Sequence, residues 1–259
     1  MKILMAGCGK MGGAMLRRWT GGDLPPITVV DPAAIETPQR VRHLRSLDAL
    51  EGEKFGLLIV AIKPQMMEEV LPTYADHIAH DGFALSMAAG VSAERISSLL
   101  GGVPTARVMP NLPAAMGRGM SALYAQPEVS ATQRLLVGKL VGATGETAWI
   151  EDEERIDLFT ALAGSGPGYV FEIMRAMQDI AEARGFAPEE ARRIAVETVS
   201  GTGEMARRED KSLEELRNDV TSPGGTTDAG LSVLREGGAI EDLLGRTVDA
   251  AHARAVELR

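Results

Sequence analysis

At 259 residues, 45% apolar and 24% charged, the chain has the ordinary composition of a soluble globular protein and room for two modest domains or one large one. Its formal charge of −9 argues against nucleic acid or an anionic membrane as the main partner, since both reward a basic face. One cysteine, Cys8, allows no internal disulfide, no uncharged apolar run reaches the roughly 18 residues of a membrane span, and the first apolar strand begins almost at Met1, so a cytoplasmic setting without a leader is expected.

In chain order, residues 3–6, ending at Ala6, form an apolar run. It breaks into Gly7-Cys8-Gly9-Lys10-Met11-Gly12, a G-x-G-x-x-G spacing, and a helical pattern continues through 11–19. Strand, glycine turn and helix in that order form the entrance to a dinucleotide site. Gly7 permits the tight turn, Gly9 lets backbone approach a pyrophosphate, and Gly12 allows close helix–strand packing. The phosphates would meet free amides at the start of the helix. Cys8 fills a variable position of the turn. The second strand, 27–30, ends at Asp31, 19 residues after Gly12, where a carboxylate can bind ribose hydroxyls.

Strands are then expected at 57–61, 82–87 and 105–109, with helices at 66–80 and 93–100 between them. This alternation predicts a parallel sheet wound on both faces. Strands at 120–124 and 147–150, bracketing a helix at 130–141, extend it. Ligands of such sheets sit beyond the carboxyl ends of the strands. There Ala61-Ile62-Lys63-Pro64 offers Lys63 either to a cofactor phosphate or ribose, or to solvent before the next helix. Ala88-Ala89-Gly90 leaves room for a flat ring, although tight packing explains the same small residues. Asn111, flanked by prolines, is either a rigid amide at the cleft edge or a turn residue.

After Trp149 the texture changes. A charged break at 151–155 precedes apolar residues at helical spacing, with Val170, Phe171, Met174, Met177, Ile180 and Ala181 on one face. A long helix should start near Pro167, and others are expected at 188–206, 212–219, 230–236 and 240–258. The predicted organisation is therefore α/β: a Rossmann-type doubly wound domain over 1–151, then an all-helical domain over 152–259. Its small apolar residues suit packing against a second copy. Between the helices lies Ser222-Pro223-Gly224-Gly225-Thr226-Thr227, where hydroxyls alternate with glycines just before a helix near Asp228. Such a loop is an anion site suited to a substrate carboxylate, beyond what an ordinary helix cap requires.

Absences narrow the chemistry. The helical half holds one lysine (Lys211), one histidine (His252) and one tyrosine (Tyr169), none placed like the general acid that reduction of a ketone needs. An electrophile activated by its own protonated nitrogen needs no such acid. No His/Cys/Asp/Glu grouping has metal-ligand spacing.

These stretches, with Met109-Pro110-Asn111-Leu112-Pro113 and Gly164-Ser165-Gly166-Pro167, resemble the pyrroline-5-carboxylate reductase family over essentially the whole chain. The resemblance implies hydride transfer from NADPH or NADH to the carbon–nitrogen double bond of 1-pyrroline-5-carboxylate, giving L-proline. It implies that Ser222, Gly224, Gly225 and Thr226 cradle the substrate carboxylate. Thr227 then hydrogen-bonds the ring nitrogen and donates the proton, with Ala89 beside the ring. The cofactor would lie on residues 6–12, Asp31, Ala61, Lys63, Pro64, Ala88 and Asp219, with Asp210, like Asp219, at a position that lines the cofactor or substrate pocket. An intertwined dimer, often assembled further into a ring of dimers (a decamer), is implied as well. Two positions depart from the family pattern. Lys10 replaces the usual Asn or Gln. Asp31-Pro32 replaces the segment that accepts the 2′-phosphate of NADPH, which favours NADH. A hydroxyacid dehydrogenase or another imine reductase of similar architecture is the rival enzyme reading. The former predicts an interdomain lysine near an Asn pair, and none is present. A non-catalytic nucleotide-sensing scaffold predicts an eroded 222–227 loop, whereas the loop is complete.

Overall fold

The computed structural model describes residues 1–19 and 24–258. By contacts the chain divides into two compact units, Met1–Ser165 with Ala251–Arg259, and Gly166–Ala250.

The first unit is built on an eight-stranded sheet, with β1 Ile3–Ala6, β2 Ile27–Val30, β3 Val41–Leu44, β4 Phe55–Val60, β5 Ile78–Ser86, β6 Thr105–Met109, β7 Gly119–Ala125 and β8 Gly145–Trp149. Their order is β3-β2-β1-β4-β5-β6-β7-β8. The first six run parallel, β7 is antiparallel to β6, and β8 is again parallel to β7. The central strands β1, β2 and β4 are almost continuously apolar because helices or turns cover both faces. One core includes Ile3, Met5, Leu57, Ile59 and Leu85 beneath α1 (Lys10–Trp19). The other includes Leu4, Leu58, Val60, Leu71 and Ile96 on the opposite face. Trp19 is buried at the end of α1 and its indole N–H donates to the Leu140 carbonyl (2.7 Å). Strand order reverses between β1 and β4, and this switch point opens a crevice at their carboxyl ends.

Three expectations change. Strand β3 is absent from the sequence reading because Val41-Arg42-His43-Leu44 shows no apolar run. As an edge strand it is only partly buried, and Arg42 spans from Glu53 to the Ala49 carbonyl. The helix expected over 66–80 is broken into a 3-10 turn at Pro64–Met66, α2 (Met67–Val70) and a second 3-10 segment, Leu71–His77. Pro72 lacks the N–H that a continued α-helix needs, and β5 already begins at Ile78. The helix after the 222–227 loop begins at Thr226, not near Asp228 or at 230.

Helices α3 (Ala93–Leu99), α4 (Ala131–Gly142) and α5 (Arg155–Phe159) complete the first unit. A π-turn at Thr160–Gly164 follows α5, marked by the Ser165 N–H bonding the Thr160 carbonyl. In the second unit α6 (Gly166–Glu182) packs along α7 (Pro188–Arg208), followed by α8 (Leu213–Asp219) and α9 (Thr226–Arg235). The last helix, α10 (Ala239–Glu257), runs into the terminal segment grouped with the first unit.

Candidate active site

The glycine turn sits at the switch point. Gly7 has φ +78°, and a Cβ there would lie 2.9 Å from Ile62 Cγ2 and 3.0 Å from the Ala61 carbonyl oxygen. Only glycine takes that conformation without strain, which costs other residues about 1–2 kcal/mol. At Gly12 a Cβ would meet Met5 Cε at 2.6 Å and Ala61 Cβ at 3.1 Å, so α1 lies directly on the sheet. Gly9 is different: nothing lies within 4 Å of where its Cβ would be, and its backbone borders open space. The first hydrogen bond of α1 runs from Gly13 N–H to the Gly9 carbonyl (2.8 Å). The amides of Lys10, Met11 and Gly12 therefore have no intrahelical acceptor. The first turn carries no acidic side chain and instead exposes Lys10. A cation at the positive end of a helix is unfavourable unless an anion neutralises it. Open backbone, spare amides and this lysine together fit a dinucleotide pyrophosphate.

Asp31 emerges from β2 beside that turn. One carboxylate oxygen accepts the Cys8 N–H (2.7 Å) and the other accepts the Ala33 N–H (2.9 Å). The acid thus ties the glycine turn to β2, while each oxygen keeps lone-pair capacity for a ribose hydroxyl. Its backbone is held by β3, through the Leu44 carbonyl (3.0 Å) and the His43 ring (2.9 Å). Burial, reinforced by the Asp31 charge, pushes the Cys8 thiol pKa above its ordinary value, consistent with an inert filler.

The other residues expected here divide by exposure. Lys63 and Pro64 are exposed, Lys63 as the extended residue before the 3-10 turn that Pro64 opens. Ala61 and Met11 are partly buried against the core. Ala6 and Ala88 both have buried side chains and offer only backbone to a ligand. The Ala6 carbonyl accepts the Ala61 N–H (2.9 Å), so Ala6 supports the turn from within the sheet. Ala88 is held by Ser86 Oγ at its N–H (3.2 Å), leaving its neighbour Ala89 as the exposed member of the pair. Asn111 resolves toward the turn reading. Its amide nitrogen donates to the Ala163 carbonyl (3.0 Å) and its oxygen accepts the Met120 N–H (3.0 Å).

In the second unit, Gly224 turns the chain with φ +68°, and its N–H donates to the Asp228 carboxylate (2.9 Å). Gly225, the N-cap, donates its N–H to the Ser222 carbonyl (2.9 Å); a Cβ there would crowd that oxygen at 3.0 Å. Both glycine amides are therefore engaged within the loop and set its shape. The first turn of α9 leaves the amides of Thr226, Thr227 and Asp228 without intrahelical acceptors. Among the described residues, the hydroxyls of Ser222, Thr226 and Thr227 also have no hydrogen-bond partner, and all three residues are exposed. Asp219 ends α8 in an ion pair with Lys211 (2.7 Å), and Asp210 is exposed nearby in sequence.

Sequence reasoning missed Asp228 as the loop's anchor, and Arg107 and Glu153, which form an ion pair (2.7 Å) in the first unit. Arg107 carried a readable signal: a charge inside the strand Thr105–Met109 demands a partner. Among the described residues no group of His, Cys, Asp and Glu has the arrangement of a metal site, and no helix is long and apolar enough to cross a membrane.

A pyrroline-5-carboxylate reductase of Pseudomonas aeruginosa is 34% identical over 265 residues, covering 99% of this chain and 96% of its own. The chain belongs to the pyrroline-5-carboxylate reductase family. This is a family of NAD(P)H-dependent oxidoreductases, and its architecture extends to solved structures. A pyrroline-5-carboxylate reductase from Coxiella burnetii superposes with a TM-score of 0.90 at 30% identity, covering 99% of this chain and 97% of its own. The Plasmodium falciparum enzyme with NADP bound shares the fold, with a TM-score of 0.84 at 22% identity over 100% and 98% of the two chains. Residues 153–258 match the family model described as pyrroline-5-carboxylate reductase dimerisation. That assignment agrees with the helical unit, where Phe171, Ile173, Ile180, Leu234, Leu243 and Leu244 are exposed on the single chain. Apolar side chains of this number call for a self-associated partner surface.

Proposed function

We propose that this chain performs the reaction of its family, reduction of the C=N bond of 1-pyrroline-5-carboxylate to L-proline, the last step of proline synthesis, through the residues described above. When bound, the reduced nicotinamide supplies the hydride. The observation that carries the site assignment is the start of α9, where three hydroxyls and three amides without a partner among the described residues share one glycine-shaped turn. Ser222, Thr226 and the first-turn amides hold the substrate carboxylate, with the helix dipole favouring its charge. Gly224 and Gly225 set the loop's path. Thr227 hydrogen-bonds the ring nitrogen and, once hydride addition has left a neutral amine, passes it a proton while its own oxygen takes one back from solvent, to which it is exposed; Ala89 borders the ring. The protonated nitrogen already makes its carbon electrophilic, so no further general acid is required.

On the cofactor side, residues 7–12 cradle the pyrophosphate, Asp31 takes the ribose diol, and Lys63 lies at the carboxyl end of β4. A carboxylate at Asp31 repels a 2′-phosphate, so the enzyme uses NADH well. Asp219, paired with Lys211, contributes to the cofactor pocket. Dimers formed through the helical unit assemble into a ring in the cytoplasm. Mixing the purified protein with 1-pyrroline-5-carboxylate and NADH or NADPH should deplete the reduced-nicotinamide absorbance and yield proline. No oxidation of either cofactor would overturn the reading, and an equal rate with a hydroxyacid's keto form would favour the rival dehydrogenase.

A further inference from the structure

We infer that Arg107 and Glu153 are positioning residues for hydride transfer, because one ion pair pins both ends of the loop that carries Ala89. Arg107 lies on β6 with its side chain 7% exposed, and Glu153 lies in the turn between β8 and α5. One oxygen of Glu153 accepts from Arg107 Nη1 (2.7 Å) and also from the Ala93 N–H (2.7 Å), at the start of α3. The other arm of the guanidinium, Nη2, reaches the Ala88 carbonyl (3.4 Å). Residues 88–93 therefore run from one contact of the pair to the other. Between them stand Ala89, which is exposed, and Gly90, half-buried with φ +72°.

Apolar packing of Ala88, Val91 and Ala93 seats the loop on the core, and the polar contacts fix its backbone. Ser86 Oγ holds the Ala88 N–H, so Ala88 is fixed through both its amide and its carbonyl. Ser92 caps α3 through the Arg95 N–H, a local contact that orients the helix; between the two ends of the pair, Val91 packs on the core and Ala89 is exposed. The planar guanidinium suits this bridging task, since its fork reaches a carboxylate and a carbonyl at once, which an ammonium point charge does not. A cavity of about 580 Å³ borders Gly90, Ser92, Arg95, Arg107 and Glu153. Backbone released from the pair has room to move into it. The inference rests on the reading that Ala89 borders the reacting ring. Misplacement of a bordering segment by about 1 Å is enough to cost on the order of 10²-fold in rate.

The test compares unsubstituted enzyme with Glu153→Ala, Glu153→Gln and Arg107→Lys. Each is assayed for kcat, KM, NADH affinity by fluorescence titration, and the primary deuterium isotope effect from NADH labelled at the transferred position. Glu153→Ala should lower kcat by roughly 10- to 100-fold and raise the isotope effect, as transfer becomes more fully rate-limiting, with NADH affinity within about threefold. Glu153→Gln retains an acceptor for Ala93 and should recover most of the rate. Arg107→Lys keeps the charge but loses the reach to Ala88, and should raise the isotope effect; it carries the test if Glu153→Ala does not fold. Activity falling only in proportion to folded protein, with the isotope effect unchanged in every folded variant, overturns the inference. Failure of the unsubstituted enzyme to reduce 1-pyrroline-5-carboxylate would instead remove the functional reading beneath it.

Discussion

Replacing Asp31 by Asn separates the two tasks given to that carboxylate. Asn is nearly isosteric, so the change removes charge while leaving shape. A 2′-phosphate carries about −2, and a carboxylate on the order of 5 Å away in a water-like dielectric repels it by about 1.5 kcal/mol, doubling to about 3 kcal/mol if partial burial halves the screening. Removing the charge also weakens hydrogen bonds to a ribose diol by about 1 kcal/mol, the difference between charge-assisted and neutral bonds. Together these shift the NADPH-to-NADH ratio of kcat/KM by roughly 70- to 800-fold toward NADPH. Stability should fall too. Asp31 accepts N–H groups at both oxygens, from Cys8 and Ala33. Asn presents NH2 to one of them, leaving an unmatched donor pair that costs about 1–3 kcal/mol. A chain of this size loses about 2–4 °C in Tm per kcal/mol. The assay is steady-state kinetics with both cofactors at two ionic strengths, with a thermal melt of the cofactor-free protein. A cofactor ratio unchanged at low salt would show that Asp31 does not face the ribose. An unchanged Tm would show that it does not hold the glycine turn.

Thr227→Val should lower kcat by roughly 10- to 1000-fold with little change in cofactor affinity, the effect of losing one positioned hydrogen bond or proton donor; unaltered turnover in stopped assays removes Thr227 from the chemistry. Ser222→Ala should mainly raise KM for the carboxylated substrate, and a pure kcat defect would contradict its binding role. Because burial, then Asp31, raises the Cys8 pKa, little thiolate is present at neutral pH, and the thiolate gains as pH climbs past the ordinary thiol range. Iodoacetamide labelling followed by mass spectrometry should thus be slow at pH 7, accelerate in alkali, and slow again with bound cofactor; labelling at the rate of free cysteine at pH 7 would refute it.

Much of this was readable without coordinates. Gly7, Gly9 and Gly12 announce the turn because backbone conformation and close approach are local demands that only glycine meets, and the three differ as their spacing implies: left-handed, open and packed. The serine–glycine–threonine loop is legible for the same reason. The β3 strand is not, because Arg42 and His43 break the apolar pattern and its pairing is supplied by β2 alone. The start of the helix after that loop also shifts, because Gly225 rather than a hydroxyl or acid side chain serves as the N-cap.

Sequence by itself determined the dinucleotide turn, the acid after β2, the hydroxyl-rich loop and the succession of sheet then helices, since each is written in nearest-neighbour spacing. Tertiary structure alone decided which of those groups remain available. It spends the Gly224 and Gly225 amides inside their loop, engages both oxygens of Asp31 and buries Ala6 and Ala88. It also joins Arg107 to Glu153 across 46 residues. Hydrogen-bond satisfaction depends on partners brought together by folding, and no periodicity in the chain records them.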